Sequence, residues 1–235
     1  MNLHYFQCGF NYSQDGPGNR LVYHLQGCNM RCPWCANPEG IDPCGKSQSA
    51  EVSDLIAYAK TCVPLFFDSG GVTLTGGEPT AQYEAAAEFL AGLKAAKINT
   101  AIETNGTHPK LPELFDAIDH LIIDFKHPDD KIHKELTGLG NAQVKRNIEA
   151  AAELGKPVLL RLLLLEGHNT AYLQDYLDYF TGLNTSRISF EFLRYHEYGR
   201  DKWGEYKFPS AFVSDETLQK FIRSFAQAGL AIVHT

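Results

Sequence analysis

Val158-Leu-Leu-Arg161-Leu-Leu-Leu-Leu165 is an apolar run without alternation, broken once by a charge. A strand with one wet face alternates. A short run that does not alternate belongs to a strand covered on both faces, as in a parallel sheet clothed in helices. The segments around it repeat this character. Residues 20–26, 72–75, 100–104, 121–124 and 187–193 read as further strands, with 231–233 closing the chain. Helical stretches are expected between them at 53–61, 81–97, 111–118, 142–154, 172–180 and 215–228, with Gly155 stopping the fourth. Residues 33–45 form a loop rich in Pro and Gly. Six βα units without a repeat or a linker predict one α/β domain, open or barrel-like.

The 235 residues are 44% hydrophobic and 21% charged, which excludes disorder and fibrous classes. A net charge of −7 without a cluster of Lys or Arg argues against nucleic acid as a partner. No stretch has the length and apolarity of a membrane span, and the first residues lack a signal-peptide pattern, so a cytoplasmic location without membrane association is expected. In such a reducing compartment six cysteines point to metal or redox use rather than to disulfides.

In a parallel barrel, reacting groups sit where strands end. The expected strand ends carry, in order, Cys28, Cys32 and Cys35; Gly76-Gly77-Glu78; Glu103-Thr104-Asn105-Gly106; Asp124-Phe125-Lys126; Glu166-Gly167-His168-Asn169; and Arg194-Tyr195-His196. Loops are polar in any case, which accounts for part of this pattern. The cysteine triplet is sharper. Three thiolates at gaps of three and two residues suit an iron–sulfur cluster, and three ligands on four irons leave one iron open. A structural zinc site is the alternative and would need a fourth ligand such as His24 or Cys44.

Cys28-x-x-x-Cys32-x-x-Cys35 resembles the signature of the radical S-adenosylmethionine enzymes. Other segments extend the resemblance to the branch that activates glycyl radical enzymes: Asp15-Gly-Pro-Gly18-Asn-Arg20, Leu25-Gln26-Gly27-Cys28 and Gly70-Gly71-Val72-Thr73. Thr75-Gly76-Gly77-Glu78-Pro79, Glu103-Thr104-Asn105-Gly106, Asp124-Phe125-Lys126, His133-Lys-Glu-Leu-Thr-Gly138 and Tyr195-His196-Glu197-Tyr-Gly199 with Lys202-Trp203 add to it. The resemblance implies a partial (β/α)6 barrel, with residues 1–235 a single radical S-adenosylmethionine domain. It implies one [4Fe–4S] cluster on Cys28, Cys32 and Cys35, and S-adenosylmethionine chelating the open iron.

By the same resemblance the cosubstrate lies against Trp34, Cys35, Ala36, Gly76, Gly77, Glu78, Asp124, Phe125, Lys126, Arg161 and His196. The glycines permit close backbone approach, and the Glu78 carboxylate would receive the ammonium. Arg161 would meet the methionine carboxylate; a salt bridge to Glu103 or Asp124 is the structural alternative. Glu103 and Asp124 stand where close relatives hold a monovalent cation, with Glu replacing the usual Asp at 103.

Three departures from the branch stand out. The chain lacks a cysteine-rich ferredoxin-like insert, since only Cys44 and Cys62 follow the first motif. Glu166-Gly167 replaces a usual Pro-Gly. Cys8 lies near a cysteine position of the relatives and reads as an ordinary thiol. The remaining histidines, His234 among them, have no ligand-like spacing, and Tyr172, Tyr176 and Tyr179 recur at a packing period.

The activity so implied is reductive cleavage of S-adenosylmethionine to methionine and a 5′-deoxyadenosyl radical, which abstracts hydrogen from a glycine of a partner enzyme. A flavodoxin or ferredoxin would supply the electron to a monomeric activase. The same radical chemistry on a small molecule or peptide, and a zinc-stabilised binding module, are the alternatives.

Overall fold

The computed structural model describes residues 1–233; His234 lies outside them. Two compact units hold these residues. The first comprises Met1–Asn29, Asn37–Thr104 and Lys110–Ile122; the second comprises Met30–Ala36, Asn105–Pro109 and the chain from Ile123 onward.

The first unit contains β1 (Asn2–Tyr12), β2 (Asn19–Leu25), β3 (Gln48–Glu51), α1 (Val52–Thr61), β4 (Gly71–Gly76), α2 (Tyr83–Ala95) and β5 (Thr100–Thr104). Its strand order is β3-β1-β2-β4-β5. β2 pairs parallel to β4 from Arg20↔Gly71 to Leu25↔Gly76, and β4 pairs parallel to β5. β1 and β3 are antiparallel additions at the margin. Tyr23 sits edge-on to Phe89 of α2 at 5.6 Å and to Tyr5 at 5.3 Å, which places the apolar face of the sheet against that helix.

Arg20 is fully buried at the start of β2. Its Nε donates to Thr73 Oγ1 at 2.6 Å, and its other nitrogens donate to the carbonyls of Val72 and Pro17 and to Asn99 Oδ1. Burial lowers its pKa to about 10. Thr73 Oγ1 in turn donates to the Asp15 carbonyl. Gly18 has φ +72°, and a Cβ there would overlap the carbonyls of Phe67 and Asp68. The Asp15–Arg20 segment is thus a brace across the strand starts.

β6 (His120–Asp124) is the strand along which the chain passes into the second unit. There follow α3 (Asp130–Thr137), α4 (Ala142–Glu153), β7 (Val158–Leu164), α5 (Leu173–Thr181), β8 (Ile188–Arg194), α6 (Asp215–Gln227) and β9 (Ala231–Ile232). β7, β8 and β9 pair in parallel, with Val158↔Ile188 through Leu164↔Arg194 in register. Phe190 meets Phe180 at 4.7 Å and Phe225 at 5.2 Å, and Phe192 meets Phe225 at 4.9 Å. Alternation along β8 then turns Glu191 to the face away from α5 and α6.

The expected strands all form, within a residue or two of the reading. Four differences follow from context. Leu111–Ala117 is a 3-10 helix rather than an α-helix, with Pro112 at its start. α2 begins at Tyr83, because Pro79–Gln82 forms a separate 3-10 turn capped by Glu78. α3 lies in a stretch to which the sequence pattern assigns no element; Asp129 accepts from Ile132 N and Gly138, φ +90°, closes it. β1 and β3 carry no clear alternation and owe their form to pairing at the edge. The tyrosines read as packing residues do pack: Tyr176 and Tyr179 lie at 6.0 and 5.5 Å from the Phe125 ring.

Candidate active site

In the first unit the Gly-rich turn is tied to the residue before Cys28. Gly77 N donates to Leu25 O, Glu78 N to Gly27 O at 2.8 Å, and Cys28 N to Ile41 O at 3.0 Å. Gly76 has φ +110°, and a Cβ on Gly77 would overlap Gly27 O, so both glycines are required by the close approach. The Gln26 side-chain amide donates to the carbonyls of Glu39 and Asp42, and the Gln26 backbone carbonyl accepts from Gln82 Nε2. These bonds anchor the loop after the cysteines.

Glu78 is buried, and its Oε1 accepts from Thr80 N at 3.0 Å and from the hydroxyls of Thr80 and Thr104 at 2.6 Å each. Three donors converge on one oxygen, so this carboxylate also holds the turn in place. Glu103 Oε2 accepts from Thr75 at 3.0 Å on the neighbouring strand.

The second unit holds Cys32, Trp34, Cys35 and Ala36. Arg31 N donates to Thr137 O at 2.8 Å, and the indole N–H of Trp203 donates to Cys35 O at 3.1 Å. Gly199 presses on the same carbonyl, where a Cβ would overlap it. The Trp34 ring is buried against Phe208 at 5.4 Å, in a cluster with Leu165, Tyr195 and Ala211 that Cys32 also packs against. The Thr137 end is fixed by His133, whose Nδ1 lies 2.6 Å from Leu139 O.

Asp124 pairs with Lys126 at 2.7 Å. Phe125 is wholly buried among Tyr176, Tyr179 and Phe180, so its backbone, bonded through N to Arg161 O, is what it offers at the strand end. Arg161 Nε pairs with Glu191 Oε2 at 2.6 Å, and both side chains are buried. Glu191 was not anticipated from the sequence. His196 is exposed, with its ring stacked on Tyr198 at 4.8 Å.

None of the six cysteines is in a disulfide. Cys44 is exposed, Cys62 buried and Cys8 half-buried, with burial raising the Cys8 pKa. Among the described residues, no three His, Cys, Asp or Glu side chains form a set that would hold a single metal ion. No described helix is long and apolar enough to cross a membrane.

The sequence pattern of the Radical SAM superfamily matches residues 22–180, and the chain belongs to that superfamily through the pyruvate formate-lyase activating enzymes. It is 32% identical over 208 residues to the Pyruvate formate-lyase 1-activating enzyme of Escherichia coli K12, covering 86% of this chain and 83% of that one. It is 30% identical over 203 residues to the Pyruvate formate-lyase-activating enzyme of Staphylococcus epidermidis, covering 80% and 79%.

Among solved structures, a domain of pyruvate-formate lyase-activating enzyme from Bacteroides vulgatus is similar with a TM-score of 0.60 and 24% identity, over 70% of this chain and 98% of that one. Streptococcus suis SuiB bound to S-adenosylmethionine is similar with a TM-score of 0.69 and 18% identity, over 90% of this chain and 49% of that one. The expected fold class, a partial (β/α)6 barrel of the radical S-adenosylmethionine type, is the fold of these neighbours. The expected enzyme class is likewise that of the family: activases of glycyl radical enzymes that use radical S-adenosylmethionine chemistry.

Proposed function

We propose that residues 1–235 act as one cytoplasmic, monomeric domain that generates a glycyl radical on a separate enzyme, with pyruvate formate-lyase the first candidate. In this reading Cys28, Cys32 and Cys35 hold one [4Fe–4S] cluster. The observation that carries it is the bonding of the Gly76–Glu78 turn to Gly27, which sets a glycine backbone beside the first cysteine. All three thiols lie outside disulfides, and thiolate is the ligand that an iron–sulfur cluster takes. When bound, the cluster supplies one electron for cleavage of S-adenosylmethionine to methionine and a 5′-deoxyadenosyl radical, which takes hydrogen from the glycine.

The chain's own residues bind and orient. The backbone of Gly76, Gly77 and Glu78, with the Glu78 carboxylate, takes the amino-acid end. Arg161 receives its carboxylate. Asp124 and Lys126, and the backbone of Phe125, face the sugar and methionine end, while Trp34, Cys35, Ala36 and His196 flank the adenosine. Glu103 and Asp124 are the oxygen ligands for a monovalent cation. A flavodoxin or ferredoxin delivers the electron.

The test is anaerobic incubation with pyruvate formate-lyase, a reductant and S-adenosylmethionine, read by electron paramagnetic resonance. A glycine-centred doublet, absent with a Gly→Ala partner, supports the reading. Cosubstrate cleavage without a radical on any glycyl radical enzyme moves the assignment to a small-molecule or peptide substrate.

A further inference from the structure

Arg161 and Glu191 face each other in register on the parallel strands β7 and β8, and both are buried. Arg161 Nε meets Glu191 Oε2 at 2.6 Å, while Glu191 Oε1 is buried with no hydrogen-bond partner. A pair kept only for the fold does better when both oxygens are engaged, and apolar residues often replace such a pair without loss. Between Val158 and Leu193 on these two strands, Ser189 is the other polar residue. A carboxylate left half satisfied here makes sense as a device that points the guanidinium.

We propose that Glu191 is a positioning residue, which fixes the Nε edge of Arg161 so that the guanidinium is aimed at the carboxylate of the amino-acid end of S-adenosylmethionine. This rests on the role given to Arg161 under the proposed function. Glu191 acts through Arg161 and does not touch the reacting atoms.

The test measures equilibrium binding of S-adenosylmethionine to the cluster-loaded protein under anaerobic conditions, together with thermal melting. Glu191→Gln weakens binding about ten-fold. At saturating cosubstrate its cleavage rate returns to that of the parent. Arg161→Leu weakens binding as well, and adding Glu191→Gln to it changes the constant less than about two-fold, because the residue acted upon is gone.

Should Arg161→Leu fail to fold with Glu191 left alone, Arg161→Leu/Glu191→Leu is the reference, and Glu191→Gln binds no more weakly than it. Parent-like binding by Glu191→Gln, with or without a lower melting temperature, overturns the proposal. So does a further ten-fold loss in the double variant. A parent that does not bind S-adenosylmethionine refutes the proposed function itself and is read before any variant.

Discussion

The indole N–H of Trp203 donates to the carbonyl of Cys35 at 3.1 Å, and Gly199 lies against the same oxygen. A residue after β8 thereby fixes the backbone of the last cysteine of the triplet. Trp203→Phe keeps the ring and removes the donor, so it costs about 1 kcal/mol. Gly199→Ala drives a Cβ into the carbonyl and displaces the loop. The expected result is near-parent iron content in Trp203→Phe and strongly reduced iron in Gly199→Ala, measured after anaerobic reconstitution.

The cysteines divide by role. Replacing Cys28, Cys32 or Cys35 with Ala abolishes the functional cluster, whereas Cys44→Ala and Cys62→Ala leave it nearly intact. Iron and sulfide analysis should give about four irons per parent chain. About eight would refute the single cluster.

Arg20 is a cation held by carbonyls and amide oxygens at the opposite end of its strand from Cys28. Arg20→Met leaves these acceptors buried without a donor and costs about 3 kcal/mol. Urea unfolding at fixed pH measures it. A loss below about 1 kcal/mol would mean that water replaces the guanidinium.

His127 and His133 are both buried, and burial holds their pKa values below the ordinary 6.5. The unfolded chain therefore binds more protons than the folded one between 6.5 and those lower values, so stability rises with pH there. The contribution is complete above 6.5 and is lost as pH falls through 6.5 toward the folded values. Melting temperature should drop between about pH 7 and about pH 5, and His127→Gln/His133→Gln should flatten that slope. An unchanged slope in the double variant assigns it to other groups.

Much of the fold was legible because its signals are local. An apolar run such as Leu121-Ile122-Ile123 declares a buried strand wherever it is placed, and Gly155, φ +66°, ends α4 as the sequence indicates. α3 is a short helix whose apolar signal is only Ile132 and Leu136, four residues apart, in an otherwise polar stretch. β1 was missed for another reason: its residues do not alternate cleanly, and its ladder is completed by the antiparallel β2 that follows it and by β3 on its other edge.

The sequence by itself determined the chemical inventory: three closely spaced thiols, the Gly-Gly-Glu turn, and a lone arginine in an apolar strand. These depend on residues within one turn or one strand. Only the tertiary structure decided which partners they meet. Glu191 is unremarkable in Ile188-Ser-Phe-Glu-Phe192 until the register of β8 on β7 sets it opposite Arg161. The rings of Trp34 and Phe125 turn into apolar clusters, and Glu78 is taken up by Thr80 and Thr104. The physical reason is that strand register and side-chain burial are set by pairing between segments far apart in the chain, and no local pattern encodes which distant residue will lie opposite.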